Sequence, residues 1–83
     1  MLEVTIYTTG PECMQCTMTK RALDKQGISY QEIDLRTEPS AHRYVAEQLG
    51  YTQAPVVIAE ENGIQNTWAG FRPDRIKRLG RTE

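Results

Sequence analysis

The sequence predicts an α/β fold, with elements in the order β-α-β-α-β-β-α and a mixed four-stranded sheet carrying helices on both faces. Three observations lead there. Leu2, Val4 and Ile6 alternate with Glu3 and Thr5, the period of a half-buried strand. Beyond Thr9-Gly10-Pro11-Glu12, a loop by its Gly-Pro content, the apolar spacing turns helical. Later, a short apolar run, Pro55-Val56-Val57-Ile58-Ala59, is followed by the turn pair Asn62-Gly63.

The elements follow in order. Leu2 to Thr8 is the first strand. From Met14, Met18, Ala22 and Leu23 share one helical face with Thr19 between them, and Gly27 is placed to end that helix as its C′ residue. Ile28 to Leu35 forms a second strand around Tyr30, Ile33 and Leu35. Thr37-Glu38-Pro39-Ser40 starts a second helix, because proline is tolerated in the first turn. Its inner face is expected to be Ala41, Tyr44, Val45, Gln48 and Leu49, with Gly50 as the stop. Pro55 opens the third strand at a position where its missing N–H is harmless. Thr67-Trp68-Ala69 is the last strand, across a connection of two residues or more. Arg72 to Leu79 is a short terminal helix turning Ile76 and Leu79 inward. The helix between the first two strands makes them parallel, whereas the turn makes the last two antiparallel. Neither a repeat nor a linker divides the chain, so one domain over residues 1–83 is expected.

Composition narrows the function. The 83 residues are 39% hydrophobic and 25% charged, with a net charge of −1 and the two signs interspersed. That balance argues against nucleic acid or an anionic membrane as partner. The N-terminus lacks a basic segment followed by an apolar stretch, and no apolar run nears the roughly 20 residues a spanning helix needs. A cytoplasmic location is expected. A domain of this size buries only about 60% of its unfolded surface, so a staple would help it. Yet the two cysteines, Cys13 and Cys16, close almost no loop, and a bridge there would stabilise little. Chemistry explains the pair better.

A Cys-x-x-Cys pair after a strand and at the start of a helix, within a βαβ pattern, reads as a redox motif. One helical turn brings the two within disulfide reach. Cys13 stands at the helix N-terminus, where unpaired N–H groups and the dipole favour thiolate, the nucleophilic form. Cys16, one turn deeper, suits the resolving role. Zinc also uses Cys-x₂-Cys, but a structural site takes four ligands and His42 is the only other strong candidate. No metal is therefore expected within the chain. A cluster carrier drawing cysteines from two chains stays open. Pro55 is the second signal. On local sequence it reads as an ordinary trans, strand-opening proline; a cis bond would press the preceding backbone towards the cysteines.

Three segments resemble the NrdH redoxin family, in the glutaredoxin-like branch of the thioredoxin superfamily. They are Thr5-Ile6-Tyr7-Thr8 leading to Cys13-Met14-Gln15-Cys16, then Gln53-Ala54-Pro55-Val56-Val57, and Trp68-Ala69-Gly70-Phe71-Arg72-Pro73-Asp74. The last is the most specific, and the likeness spans essentially the whole chain. The resemblance implies a thioredoxin/glutaredoxin-like fold with a cis Pro55. It implies a thiol–disulfide oxidoreductase serving cell redox homeostasis and deoxyribonucleotide synthesis. Such a protein donates electrons to class Ib ribonucleotide reductase through its large subunit and is recycled by thioredoxin reductase. It binds no cofactor and uses NADPH only through that reductase. A monomer is expected.

A glutathione-dependent glutaredoxin is the alternative within the same chemistry, and a metal or iron–sulfur carrier the alternative outside it. Glutathione-using relatives carry a Gly-Gly-x-Asp-like turn after the last strand, where this chain has bulky Phe71. Ala69 departs from the family's usual serine and removes a hydroxyl that could fix this turn. Beside the catalytic Cys13 and Cys16, the residues expected to meet a partner are Met14, Gln15, Ala54, Pro55, Trp68, Gly70, Phe71 and Arg72. Trp68 has two equal readings, docking patch and core. For Arg72 with Asp74, a cap and local ion pair is the preferred reading over direct contact.

Overall fold

The computed structural model describes residues 2–79; Met1 and residues 80–83, which the expected domain includes, lie outside the described residues. The elements are β1 (Leu2–Thr8), α1 (Met14–Lys25), β2 (Gln31–Asp34), α2 (Pro39–Arg43) running into a π-helical turn (Tyr44–Gln48), β3 (Val56–Glu61), β4 (Ile64–Ala69) and α3 (Pro73–Arg78). The strands form one mixed sheet in the order β2-β1-β3-β4. β1 and β2 are parallel, as a helical crossover requires, and the other two pairings are antiparallel.

Each sheet face has its own apolar cluster. Val4, Ile6, Val57, Ala59 and Trp68 pack with Leu23 of α1 and with Ile76 and Leu79 of the C-terminal segment. Tyr7 and Val56 pack on the other face with Val45 of the π turn. Strand alternation explains the split, since successive side chains point to opposite faces.

The structure corrects the element readings in four places. β2 covers only Gln31–Asp34, because Ile28 and Tyr30 reach the core from the segment before the strand. In α1 the buried stripe is Cys16, Thr19 and Leu23, and Met18 points outward. Thr19 tolerates burial because its hydroxyl donates to the Gln15 carbonyl at 2.8 Å and needs no outside partner. In the second helix only Val45 is buried, while Tyr44 and Gln48 face outward. The π turn, closed by the Leu49 N–H on the Tyr44 carbonyl, fits one extra residue into its turn and rotates the residues beyond it. Finally, β4 starts at Ile64, so Asn62-Gly63 alone makes the hairpin turn. Both residues have positive φ, 55° and 83°, as a two-residue type I′ turn demands.

Register places the chemistry. Tyr7 of β1 pairs with Val56 of β3, and Val56 with Ala69 of β4. The cysteine loop after β1, Pro55 before β3 and Gly70 after β4 therefore meet at one end of the sheet.

Candidate active site

The chain leaves β1 at Thr8 and turns through Gly10, whose φ of +105° suits glycine alone. The Cys13 N–H donates to the Gly10 carbonyl at 3.2 Å, which fixes Cys13 as the N-cap of α1. The Cys13 Sγ then accepts the Cys16 N–H at 3.2 Å, a sulfur acting where an Asp or Ser oxygen usually does. Its carbonyl receives the Thr17 N–H at 3.1 Å, and the Thr17 hydroxyl at 3.3 Å. Cys13 and Cys16 are joined by a disulfide with their Cα atoms 5.2 Å apart. Cys13 is half-buried, Cys16 only 1% exposed, and Met14 beside them is 70% exposed. An external disulfide can reach Cys13 and is kept from Cys16. When the bridge opens, the Cys13 sulfur already faces a helix N–H and the positive end of the dipole, the setting that favours thiolate.

The opposite wall comes from the third and fourth strands. The Ala54–Pro55 bond is cis, as the family resemblance implies. The Pro55 carbonyl accepts the Gly70 N–H at 2.7 Å, and the Gln15 side-chain oxygen accepts the Phe71 N–H at 3.0 Å. The turn after β4 is thus tied to both the proline segment and the cysteine helix. It is fixed without the hydroxyl that Ala69 lacks. A Cβ on Gly70 would lie 3.3 Å from Gln15 Oε1 and 3.6 Å from Gln53 Nε2, so the approach is close.

The structure brings Met14, Gln15, Ala54, Pro55, Gly70, Phe71 and Arg72 to this end of the sheet. Of these, Pro55 and Gly70 are buried, Ala54 and Phe71 half-buried, and Gln15 and Arg72 exposed. Trp68 separates from them. It is 3% exposed within the α1/α3 cluster, with the Arg75 guanidinium 5.9 Å from its ring centre. Strand alternation turns it to the α1/α3 face, so of its two readings the structure supports core, and the docking reading is corrected. Arg72 pairs with Asp74 at 3.2 Å, the local ion pair expected there, though its side chain makes no capping bond. The Arg72 hydrogen bond is also the main reason the Asp74 carboxyl titrates below the ordinary carboxylate range.

Sequence reasoning missed Gln53, Thr9, Asp34 and Arg36. Gln53 and Thr9 join Leu35, His42, Tyr51 and Ala54 around a cleft of about 240 Å³ on the α2 side of the cis proline. Asp34 and Arg36 form an ion pair at 2.9 Å, and its hydrogen bonds hold the Asp34 carboxyl low. Their distance from the cysteines along the chain hid them; only the parallel pairing of Asp34 with Thr8 brings them close. Burial, with Tyr44 nearby, raises the Tyr7 phenol above its usual range, so it brings no charge to this end at neutral pH. Among the described residues, no three His, Cys, Asp or Glu side chains converge on a point that could hold a metal ion. No described helix is long and apolar enough to cross a membrane.

Comparison with known proteins agrees with this geometry. The glutaredoxin family model matches residues 4–64. The glutaredoxin-like protein NrdH of Escherichia coli strain K12 is 41% identical over 78 residues, covering 94% of this chain and 89% of the relative. Its Lactococcus lactis subsp. cremoris counterpart is 33% identical over 76 residues, covering 92% and 97%. The solved NrdH-redoxin of E. coli superposes with a TM-score of 0.85 at 40% identity, over 98% of this chain and 99% of that one. The glutaredoxin of Archaeoglobus fulgidus, 24% identical and covering 99% and 89%, shares the fold at a TM-score of 0.70. This chain belongs to the NrdH redoxins, glutaredoxin-like thiol–disulfide oxidoreductases, with the Cys13–Cys16 pair as its redox-active centre.

Proposed function

We propose that this redoxin carries electrons from thioredoxin reductase to class Ib ribonucleotide reductase and does not depend on glutathione. One observation carries the choice of reductant. The turn after β4 uses two of its backbone donors internally: Gly70 N–H on Pro55 and Phe71 N–H on Gln15. A glutathione carboxylate taking these N–H groups would have to displace both bonds and meet Phe71. The E. coli relative, whose structure is described as the basis of a thioredoxin-like activity profile, supports the same reading.

The steps use this chain's own residues. The reduced Cys13 thiolate attacks one sulfur of the partner's cystine, forming a mixed disulfide and releasing the partner's other sulfur as thiolate. Cys16, deprotonated in turn, attacks the Cys13 sulfur. The Cys13–Cys16 bond forms, the mixed disulfide breaks, and the partner's second sulfur leaves. Two electrons and two protons pass to the partner, and the reductase returns them at the expense of NADPH. Met14, Gln15, Ala54, Phe71 and Arg72 form the surface on which partners settle, backed by the buried Pro55 and Gly70. We place the protein in the cytoplasm as a monomeric redoxin domain over residues 1–83, with no nucleic acid or membrane partner and no bound cofactor.

The test is NADPH consumption with a disulfide substrate, comparing thioredoxin reductase with glutathione plus glutathione reductase. Rapid turnover with the first system and little with the second is expected. The reverse pattern assigns the chain to glutathione-dependent chemistry. A visible absorption band of protein purified without oxygen, lost on chelation, would assign the cysteines to a cluster.

A further inference from the structure

We propose that Arg36 is a positioning residue for the attacking thiol: braced by Asp34, it packs on Gly10 and sets the turn that holds Cys13 in its N-cap pose. Arg36 lies 23 residues beyond Cys13 in the chain, yet its guanidinium occupies the space a Gly10 side chain would need. A Cβ built on Gly10 would stand 2.6 Å from Arg36 Nη1 and 2.8 Å from Nε, closer than any real contact.

The arginine is not loose. Its Nε donates to Asp34 Oδ1 at 3.1 Å and its Nη2 to Oδ2 at 2.9 Å, the two-pronged geometry only a guanidinium offers. Its backbone N–H donates to Asp34 Oδ1 at 2.8 Å. Asp34 is itself fixed by the sheet, opposite Thr8 in the parallel pairing, and the Leu35 N–H continues that ladder onto the Thr8 carbonyl at 2.8 Å. The load path runs from the sheet edge through Asp34 and Arg36 to Gly10, and from the Gly10 carbonyl to the Cys13 N–H.

A glycine at φ +105° has the widest conformational freedom of any residue, so a turn built on it is held more firmly when a cover adds to its one hydrogen bond, Cys13 N–H to the Gly10 carbonyl. Arg36 covers it. When the turn is held, Cys13 keeps the extended N-cap backbone, φ −78° and ψ 104°, that points its sulfur at the Cys16 N–H. Without the cover, the sulfur spends less time against that donor. The reduced, thiolate form then loses support, and the disulfide becomes harder to reduce, as the converse of oxidants whose reduced form is stabilised.

The inference rests on the dithiol reading, and the experiment separates the two. Wild-type protein, Arg36→Ala and Asp34→Asn are equilibrated in dithiothreitol buffers to obtain the Cys13–Cys16 reduction potential. The iodoacetamide reactivity of reduced Cys13 is measured in parallel at pH 7, with thermal melts as control. Arg36→Ala should slow alkylation and shift the dithiol equilibrium towards disulfide, each about three- to tenfold, roughly the worth of one hydrogen bond to the sulfur. Its melting curve should stay close to wild type, because an exposed ion pair adds little stability.

Asp34→Asn decides between clamp and charge. It leaves the arginine's cation in place and removes an anion, so long-range electrostatics alone predicts faster alkylation, whereas loss of the brace predicts slower. Slower alkylation in both variants supports the proposal. Unchanged chemistry in Arg36→Ala, or faster alkylation in Asp34→Asn, overturns it. If wild-type protein fails to form the bridge reversibly, the dithiol reading falls. The alkylation rates still decide the positioning role.

Discussion

Replacing Gly70 by alanine tests how tightly the turn after β4 is tied to the cysteine helix. Gly70 is buried with φ +83°, and an L-residue in the left-handed region costs roughly 1–2 kcal/mol. The new methyl would stand 3.3 Å from Gln15 Oε1, so the glutamine must retreat by a few tenths of an ångström. That oxygen holds the Phe71 N–H at 3.0 Å, a bond whose net worth is about 1 kcal/mol. The two effects together predict a loss of about 2–3 kcal/mol. At the scale of domains this size, that lowers the midpoint by about 10–20 °C. Urea unfolding followed by circular dichroism measures it, with an unchanged m-value as evidence that only stability moved. Repeating Gly70→Ala in a Gln15→Ala background isolates the crowding. There the methyl has room, and the cost should fall to the backbone part, leaving a coupling of roughly 0.5–1 kcal/mol. A loss under about 0.5 kcal/mol for Gly70→Ala would refute the reasoning, as would strict additivity with Gln15→Ala.

Three further outcomes are expected. Cys16→Ser should accumulate a mixed disulfide between Cys13 and its partner, seen on a non-reducing gel and mapped by mass spectrometry; normal turnover with residue 16 labelled first by limiting alkylating agent would reverse the two roles. Phe71→Ala should raise the KM for thioredoxin reductase by up to roughly thirtyfold, the effect of losing an aromatic anchor worth about 2 kcal/mol, while Cys13 reacts with a small disulfide at nearly the wild-type rate. A fall in the small-disulfide rate as well would place Phe71, half-buried against the α1/α3 cluster, in the cysteine environment instead. The third concerns pH: hydrogen bonds from Arg36 lower the folded pKa of Asp34, so its contribution is complete above the unfolded carboxylate value near about 3.9 and is lost as pH falls through the lower folded value. The difference between wild type and Asp34→Asn should therefore be constant from pH 7 to about 5 and vanish in stronger acid; a difference that disappears near neutrality would contradict the assignment.

Much of this protein is legible along the chain because its signals are local. Alternation marks β1, Gly27 ends α1 at φ +72° as a C′ glycine should, and Ile76 and Leu79 turn inward as their spacing requires. The placement of the two cysteines is legible for the same reason. Capping geometry follows from three neighbouring residues, so the half-buried Cys13 and the buried Cys16 follow from where the helix starts.

The misreadings lie where a non-local partner decides. Met18 and Thr19 are neighbours on one helix, and composition favours burying the methionine; the sheet takes Thr19 because its hydroxyl is satisfied within the helix. A 3.6-residue period turns Tyr44 and Gln48 inward, and the π turn breaks that period. Trp68 is ambiguous in one dimension, since a tryptophan beside a glycine suits a docking turn or a core equally; strand register gives it to the core.

The sequence by itself determined the fold class and the redox pair, because helix capping and strand alternation act over a few residues. Tertiary structure alone decided what surrounds the thiol. The Tyr7–Val56–Ala69 row lets Gln15 seize the Phe71 N–H, and the Thr8–Asp34 pairing lets Arg36 cover Gly10. Those contacts join residues tens of positions apart, and no local period records which distant side chain will fill the space a glycine leaves open.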